Sequence, residues 1–178
     1  MKTKQFKISE VLQWQPQKEI DPLKVKELTV DADYIYPFYG QSTVNNGIIS
    51  YETLTSKVLN NSIMIGGKTL VITYQPTDYY SNDSHNLALY INNKRGRTEK
   101  AQLFMITALY KNLKPFYTWG DSISKKKIQN NYVSLPVDSN KNLDFDTMEQ
   151  LITIQEKLAI KNVVKWKDKI INISKKCI

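Results

Sequence analysis

The stretch LDFDTMEQLITIQEKLAIKNVVKWKDKIINISKK, residues 143–176, decides the fold class, because it has helical periodicity and contains neither proline nor glycine. Its start can be capped by Asp144 or Asp146, and Asp146 with Glu149 has the spacing of a capping box. We predict a single helix over about residues 144–174, which at 1.5 Å per residue extends roughly 45 Å. Two shorter helices packed on the preceding domain are the alternative.

One face of this predicted helix is apolar. The apolar stripe starts at Phe145 and advances in alternating three- and four-residue steps. It is interrupted by the polar residues Gln155 and Asn162. A helix of this length cannot fold back over a small domain, so the stripe requires a partner helix. We predict a dimerisation seam made of Met148, Ile152, Ala159, Trp166 and Ile173.

The residues before this helix favour a β-rich domain, because β-branched and aromatic residues occur in short runs bounded by turn residues. Asn46-Gly47 is a strong turn signal, since both residue types tolerate positive φ. Strands are predicted at both ends of YPFYGQSTVNNGIISY (36–51), within SIMIGGKTLVITYQ (62–75), and at 86–92 and 132–135.

Two helical segments are predicted within this domain. Thr98 can cap a helix that ends before Pro115, and Ser9 can cap a short amphipathic helix or turn in FKISEVLQW (6–14). The predicted fold class is therefore α+β, with a β-rich domain over residues 1–140 followed by the long helix over residues 141–178.

Composition restricts the partners and the compartment. The 178 residues carry a net charge of +8 with a pI of about 9.4, which favours nucleic acid first and an anionic membrane surface second. Lysines that serve only solubility are the alternative.

The start lacks an apolar signal-peptide core and no apolar run reaches membrane-spanning length, so we expect a cytoplasmic protein with no membrane partner. His85 and Cys177 are single residues of their types, which excludes an internal disulfide and argues against a zinc site.

The sequence contains no recognisable catalytic pattern. No acidic residue is followed two positions later by lysine, which is an element of many metal-dependent nucleases, and the Asn-Pro-Pro-aromatic tetrapeptide of amino-methyltransferases is missing. The GGK at 66–68 lacks the spacing of a phosphate loop. His85 beside Asp83 and Ser84 is a local cluster, whereas a catalytic triad draws on distant positions. We therefore expect no enzyme activity, no cofactor and no metal.

Four stretches follow one another in an order that carries a family resemblance. FKISEVLQW matches the opening turn of a target recognition domain, and YPFYGQSTVNNGIISY matches an aromatic strand, a polar loop and a second strand. A glycine hairpin and an Asp/His strand entry are matched by SIMIGGKTLVITYQPTDYYSNDSHNLALYI (62–91). A Lys-rich connection, an LPV strand and a helix that opens with DFxxME are matched by FYTWGDSISKKKIQNNYVSLPVDSNKNLDFDTMEQLI (116–152). Together they resemble the DNA specificity (S) subunits of type I restriction-modification systems and the related recognition subunits of fused restriction-methylation enzymes.

The resemblance implies recognition of a double-stranded DNA sequence by the β-rich domain, with the modification methyltransferase and the restriction subunit on other chains. The usual subunit carries two recognition domains and two long helices, whereas this sequence has one of each. That implies a half-size subunit whose homodimer reads a bipartite, palindromic site, with a fragment of a larger subunit as the alternative. Three other classes stay open: a stand-alone nucleic-acid-binding regulator, a small metal-dependent nuclease, and an anti-restriction mimic of DNA, which the positive charge disfavours.

Polar side chains on the predicted loops are the candidates for DNA contact. Amide groups suit base edges, whereas a lysine run suits phosphates, which position the protein without specifying sequence. Ordinary solvation is the alternative for each loop, and Arg95 or Arg97 could equally cap the preceding strand or fold onto an acidic neighbour. The candidate residues are Gln41, Ser42, Asn45, Asn46, Lys68, Tyr80, Ser81, Asn82, Lys94, Arg95, Arg97, Lys125, Lys126 and Lys127.

Overall fold

The computed structural model describes residues 1–16, 19–40, 44–82, 86–117 and 123–176. Within these ranges the chain forms nine strands and five α-helices. The strands are β1 (Thr3–Lys7), β2 (Leu12–Trp14), β3 (Tyr36–Tyr39), β4 (Ile48–Glu52), β5 (Ser62–Gly66), β6 (Ile72–Gln75), β7 (Tyr80–Ser81), β8 (Asn86–Ile91) and β9 (Tyr132–Pro136). The helices are α1 (Ile8–Val11), α2 (Val25–Leu28), α3 (Glu99–Leu113), α4 (Lys125–Ile128) and α5 (Phe145–Lys176).

The strands form three sheets. β1 pairs with β9, and a four-stranded antiparallel sheet has the order β2-β8-β5-β6. In the third sheet, β3 lies between β4, to which it is antiparallel, and β7, to which it is parallel. The register of β5 against β8 aligns Gly66 with Asn86, so the turn after β5 lies beside the residue at which β8 begins.

Most of the predicted strands and helices are confirmed. Residues 36–52 contain β3 and β4, residues 62–75 contain the β5–β6 hairpin, and the Thr98 hydroxyl caps α3 by accepting from the backbone N–H of Ala101. Residues 6–14 differ, because they contain the end of β1, then α1, then β2, with Lys7 and not Ser9 at the cap position. Pairing with β9 and β8 extends both flanks of that short helix as strands.

The main core lies between the four-stranded sheet and α3, and the start of α5 closes it. From the sheet and α3 it takes fully buried aliphatic side chains, each of which contributes roughly 1.5–3 kcal/mol on burial. These include Ile63, Ile65, Leu89, Ile91, Met105 and Leu109. Two smaller clusters, one around Tyr79 and one around Phe38, connect the three-stranded sheet to the rest of the domain.

Helix α5 is one unbroken helix, as predicted, and Asp144 is its cap. The Asp144 carboxylate accepts a hydrogen bond from the backbone N–H of Thr147 at 2.9 Å and another from its hydroxyl at 2.6 Å. These hydrogen bonds, the hydroxyl first, hold the pKa of Asp144 below its ordinary value. No helix among the described residues is both long enough and apolar enough to cross a bilayer.

Burial along α5 corrects part of the predicted dimerisation seam. Met148 is 0% exposed in the main core, so its assignment to a seam with another chain is wrong: the chain's own domain covers it. Ile152 is half-buried, whereas every residue from 154 to 173 is exposed, including Ala159. Trp166 is 66% exposed and Ile173 is 49% exposed. The outer part of the helix therefore presents an apolar face that no described residue of this chain covers.

Candidate nucleic-acid interface

Three loops lie at the end of the four-stranded sheet where β8 begins, which we call the loop end. The loop after β3 reaches it, because the carbonyl of Tyr39 accepts from the backbone N–H of Asn82 at 2.9 Å. The turn after β5 lies there through the pairing of Gly66 with Asn86. The segment before α4 joins that turn, since the backbone N–H of Ile123 donates to its Gly67 carbonyl at 2.7 Å.

The β3–β4 loop places an amide side chain at the surface. Asn45 is exposed, and both Asn45 (φ 52°) and Gly47 (φ 85°) adopt the left-handed conformation that these residue types tolerate best. The backbone N–H of Gly40 closes the base of the loop by donating to the Gly47 carbonyl at 2.9 Å. Asn46 belongs to the same tight turn, while the predicted residues Gln41 and Ser42 lie outside the described residues.

Lysines supply the positive charge at the loop end. Ser124 caps α4 by accepting from the backbone N–H of Lys127, and buried Ile128 anchors the helix to the core. The ammonium of Lys125 lies 3.5 Å from a carboxylate oxygen of Glu19, and it lies 5.6 Å from the centroid of the Trp14 ring. The side chains of Lys68, Lys125, Lys126 and Lys127 are all exposed.

Tyr80, Ser81 and Asn82, which are predicted to contact DNA, do not form an exposed loop. Tyr80 is 2% exposed, and its hydroxyl bonds to both the backbone N–H and the carbonyl of Leu54 at 3.1 Å. Ser81 and Asn82 are also buried, and the Ser81 hydroxyl accepts from the amide of Asn86 at 3.0 Å. Because β7 pairs with β3 inside the domain, these three side chains support the loop end and are not displayed on it.

The predicted basic loop at residues 94–97 lies at the opposite end of β8, which we call the helix end. There the Nε of Arg97 donates to the Ile91 carbonyl at 2.8 Å, and its guanidinium lies 4.2 Å from the centroid of the Tyr90 ring. Arg95 makes contacts of 2.5 Å with both Asp146 and Glu149 of α5. Both arginines are therefore engaged within the chain, as the alternative interpretation has it, and their contact with DNA stays a prediction.

Lys94, also predicted, is exposed but lies in the same turn at the helix end. It is therefore separated from the loop end by the length of β8. Of the candidate set, the structure places the exposed side chains of Asn45, Lys68, Lys125, Lys126 and Lys127 on the segments that meet at the loop end.

Sequence reasoning offered an acidic partner for Arg95 but missed that this partner is α5, and so missed the polar junction between the domain and that helix. Glu149 accepts from the Thr98 hydroxyl at 2.7 Å as well as from Arg95, and these hydrogen bonds, Arg95 first, lower the pKa of Glu149. Lys100 lies 2.7 Å from the Thr153 hydroxyl and 3.0 Å from a carboxylate oxygen of Glu156. In the sequence, the two carboxylates of Asp146 and Glu149 were the only signal that could have indicated a partner for Arg95. Their three-residue spacing also fits a capping box, so the signal was ambiguous.

The loop end can bind a polyanion and read hydrogen-bonding groups. Lysine ammonium groups attract phosphates at many sequences alike, whereas an asparagine amide can donate and accept at one base edge. Within the described ranges, no group of three or more His, Cys, Asp or Glu side chains is arranged to hold a metal ion.

Comparison with known proteins identifies one family. The model of the type I restriction modification DNA specificity domain matches residues 2–165, which include the β-rich domain and two thirds of α5. No curated protein sequence matches the chain.

Solved structures share the fold at low identity. The S subunit of a type I restriction-modification system from M. genitalium has a TM-score of 0.56 at 16% identity, over 96% of this chain and 43% of that one. The HsdS subunit from Thermoanaerobacter tengcongensis has a TM-score of 0.62 at 12% identity, over 91% of this chain and 38% of that one. A chain from a type I R-M system, studied for complex assembly and conformational transition, has a TM-score of 0.61 at 14% identity, over 93% of this chain and 41% of that one. The chain thus spans about two fifths of these structures.

Proposed function

The chain belongs to the type I restriction modification DNA specificity domain family, and from that premise we propose that it recognises a duplex DNA sequence as the specificity subunit of a restriction-modification complex. The observation that carries the proposal is the family match over residues 2–165, which includes the β-rich domain and two thirds of α5. In this proposal residues 1–140 are the target recognition domain and residues 141–178 the helix for dimerisation and methyltransferase docking.

The loop end is the proposed DNA-contacting surface. Asn45, exposed in the β3–β4 loop, contacts a base edge, for which a well-placed amide is worth roughly 1–3 kcal/mol of discrimination. Lys68 and the three lysines of α4 contact phosphates and orient the domain on the duplex. The ammonium of Lys125 exchanges its contact with Glu19 for a phosphate oxygen when DNA binds.

The outer part of α5 is proposed to pair with the same helix of a second copy. Val163, Trp166, Ile170 and Ile173 are exposed and recur at three- and four-residue steps, which is the pattern of a helix–helix seam. An antiparallel arrangement relates the two recognition domains by a two-fold axis and carries them to opposite ends of the pair. A two-fold protein reads a two-fold site, so the expected target is bipartite and palindromic.

Catalysis is assigned to partner chains. We expect the modification methyltransferase and the restriction subunit to supply methyl transfer and cleavage, with this chain directing both to the target. The chain itself is proposed to be neither a methyltransferase nor a nuclease and to require no cofactor.

Selection from a pool of random duplexes tests this function. The purified chain is incubated with the pool, alone and with its methyltransferase subunit, and the bound duplexes are sequenced. Enrichment of two short inverted elements at a constant separation is the expected result. No enrichment in either arm would overturn the proposal. A single contiguous motif, bound by a chain that never co-purifies with a methyltransferase, would favour a stand-alone regulator, and cleavage by the chain with magnesium alone would favour a nuclease.

A further inference from the structure

Four lysines of the outer part of α5 lie on a different face from the exposed side chains of Trp166 and Ile170. Lys157, Lys161, Lys165 and Lys169 are exposed and lie four residues apart, so they form a single row, which we call the lysine ladder. At about 100° per residue, Trp166 and Ile170 lie on the other side of the helix from the centre of this row. A partner helix that covers the apolar face therefore leaves Lys157, Lys161 and Lys165 in solvent and has Lys169 at its edge.

Acidic residues that could neutralise the ladder are almost absent. Asp168 is the single acidic residue between 157 and 176, and no ion pair to a ladder lysine occurs among the side chains that the structure describes. The inner part of the same helix is different, because its carboxylates pair with Arg95 and Lys100 of the domain. Net positive charge is thus concentrated on the part of α5 that stands clear of the domain.

This arrangement is unfavourable for an isolated helix. Like charges four residues apart destabilise a helix, whereas a glutamate four residues before a lysine stabilises it and solubilises it equally well. A face selected only for solubility has no need of three consecutive lysine–lysine pairs. The pattern is explained by a partner of high and regular negative charge.

Duplex DNA has that charge pattern. The ladder extends over about 18 Å from Lys157 to Lys169, at 1.5 Å per residue. A duplex carries one phosphate for each 1.7 Å of its axis, or roughly ten over this length. Lysine is a compact ammonium on a flexible stem, so it can bind phosphates without demanding a base sequence.

We propose that the lysine ladder binds the phosphate backbone of the unspecified DNA between the two half-sites. The inference rests on the proposed function, in which two recognition domains at opposite ends of paired α5 helices bind one duplex, so that the intervening DNA runs alongside the helices. The ladder adds affinity that is independent of sequence and gives the complex a preference for a continuous duplex over two separate half-sites. An acidic face of a protein partner is the competing occupant.

Salt titration with matched variants tests the ladder. The four ladder lysines are changed together to glutamine, which is as good a helix former as lysine. In the control, Lys2, Lys26, Lys57 and Lys111, all exposed and outside both the loop end and α5, are changed to glutamine, so the two variants have equal net charge. The probe is a random-sequence duplex of about 40 base pairs, or roughly four helical turns, bound over a series of salt concentrations.

The ladder variant should reduce the slope of log K against log salt by about three to four per chain relative to the control, at about 0.9 for each phosphate contact. Equal slopes for the two variants would overturn the ladder proposal and leave the proposed function standing. Unchanged DNA binding combined with lost binding to the methyltransferase subunit would overturn it in favour of an acidic protein partner. If the unaltered chain binds no duplex at any salt concentration, the proposed function itself fails, which separates the two outcomes.

Discussion

Arg95 and Glu149, which lie 54 positions apart in the chain, are joined by a 2.5 Å hydrogen bond from Nη1 of the guanidinium to Oε1 of the carboxylate. The other terminal nitrogen of Arg95 lies 2.5 Å from Asp146, so one side chain binds two carboxylates in the first turns of α5. Beneath this polar layer, Phe145 and Met148 are buried in the main core. The junction therefore fixes the direction in which α5 leaves the β-rich domain.

Acid should weaken this junction. The pKa of Glu149 is lowered from its ordinary value of 4.5, chiefly by the hydrogen bond from Arg95. A carboxyl with a depressed folded-state pKa stabilises the fold fully above its ordinary pKa, and the contribution is lost as the pH falls through the lower folded value. We expect the urea midpoint to fall as the pH is taken below 4.5, and Glu149→Gln to show a shallower fall.

A residual pH dependence should survive in Glu149→Gln, because the pKa of Asp144 is also lowered. Glu27→Gln, which removes an exposed carboxylate from α2 far from the junction in sequence, is the matched control and should retain the full dependence. If Glu149→Gln and Glu27→Gln have the same profile, the Arg95 contact does not stabilise the folded state.

Gly96 should not tolerate even a methyl group. A Cβ built on Gly96 would overlap Cε1 of the Phe145 ring and would lie 2.8 Å from a methyl carbon of Ile91. Overpacking of this kind costs about 1–3 kcal/mol, so Gly96→Ala should lower the free energy of unfolding by that amount. Chemical denaturation measures it. Phe145→Leu combined with Gly96→Ala should recover part of the lost free energy of unfolding. If the losses of the two single variants simply add, the added methyl group does not act through the Phe145 ring.

The lysines of α4 should contribute affinity and not specificity. Changing Lys125, Lys126 and Lys127 together to alanine should weaken binding to all duplexes alike and reduce the salt slope by about two to three, since each lost phosphate contact accounts for about 0.9. The same titration of a Lys2, Lys57 and Lys111 triple variant controls for net charge. A changed target preference with an unchanged slope would contradict a phosphate role for α4.

Asn45 should determine the preferred base at one position of the target. Because its φ of 52° is left-handed, alanine would add backbone strain to the loss of the amide, whereas glycine removes the amide alone. Asn45→Gly should therefore relax discrimination by roughly 1–3 kcal/mol at one base pair. Sequencing of duplexes selected by the two proteins measures it. An identical selected motif for both would move base recognition to another loop.

Local patterns were sufficient to predict much of the fold. A capped, uninterrupted helix such as α5 and a glycine hairpin such as β5–β6 depend on neighbouring residues, and both are confirmed. The two-residue strand β7 shows no periodicity, and its partner β3 lies about forty positions earlier, so the burial of Tyr80 and Ser81 could not be predicted. Long-range pairing likewise decides that Arg95 binds α5.

Trp166 is the residue through which the proposed homodimer can be tested. It is the largest exposed apolar side chain on the outer part of α5, with 66% of its surface accessible, and Ile170 and Val163 extend the same face. Close packing of two such faces would bury all three, and a carboxylate placed among them would lose its water without gaining a partner.

Trp166→Asp should therefore convert the dimer into a monomer at micromolar concentration, because an unpaired buried charge costs several kcal/mol, enough to raise the dissociation constant by more than a hundredfold, at about 1.4 kcal/mol per factor of ten. Asn172→Asp is the matched control, since it adds the same charge on the lysine side of the helix and should remain dimeric. Light scattering gives the mass of each protein, and circular dichroism verifies that the recognition domain stays folded. If Trp166→Asp stays dimeric like the control, the dimer interface does not lie on the apolar face of α5. A monomeric unaltered chain would rule out self-association and leave the apolar face of α5 to a helix of a different chain.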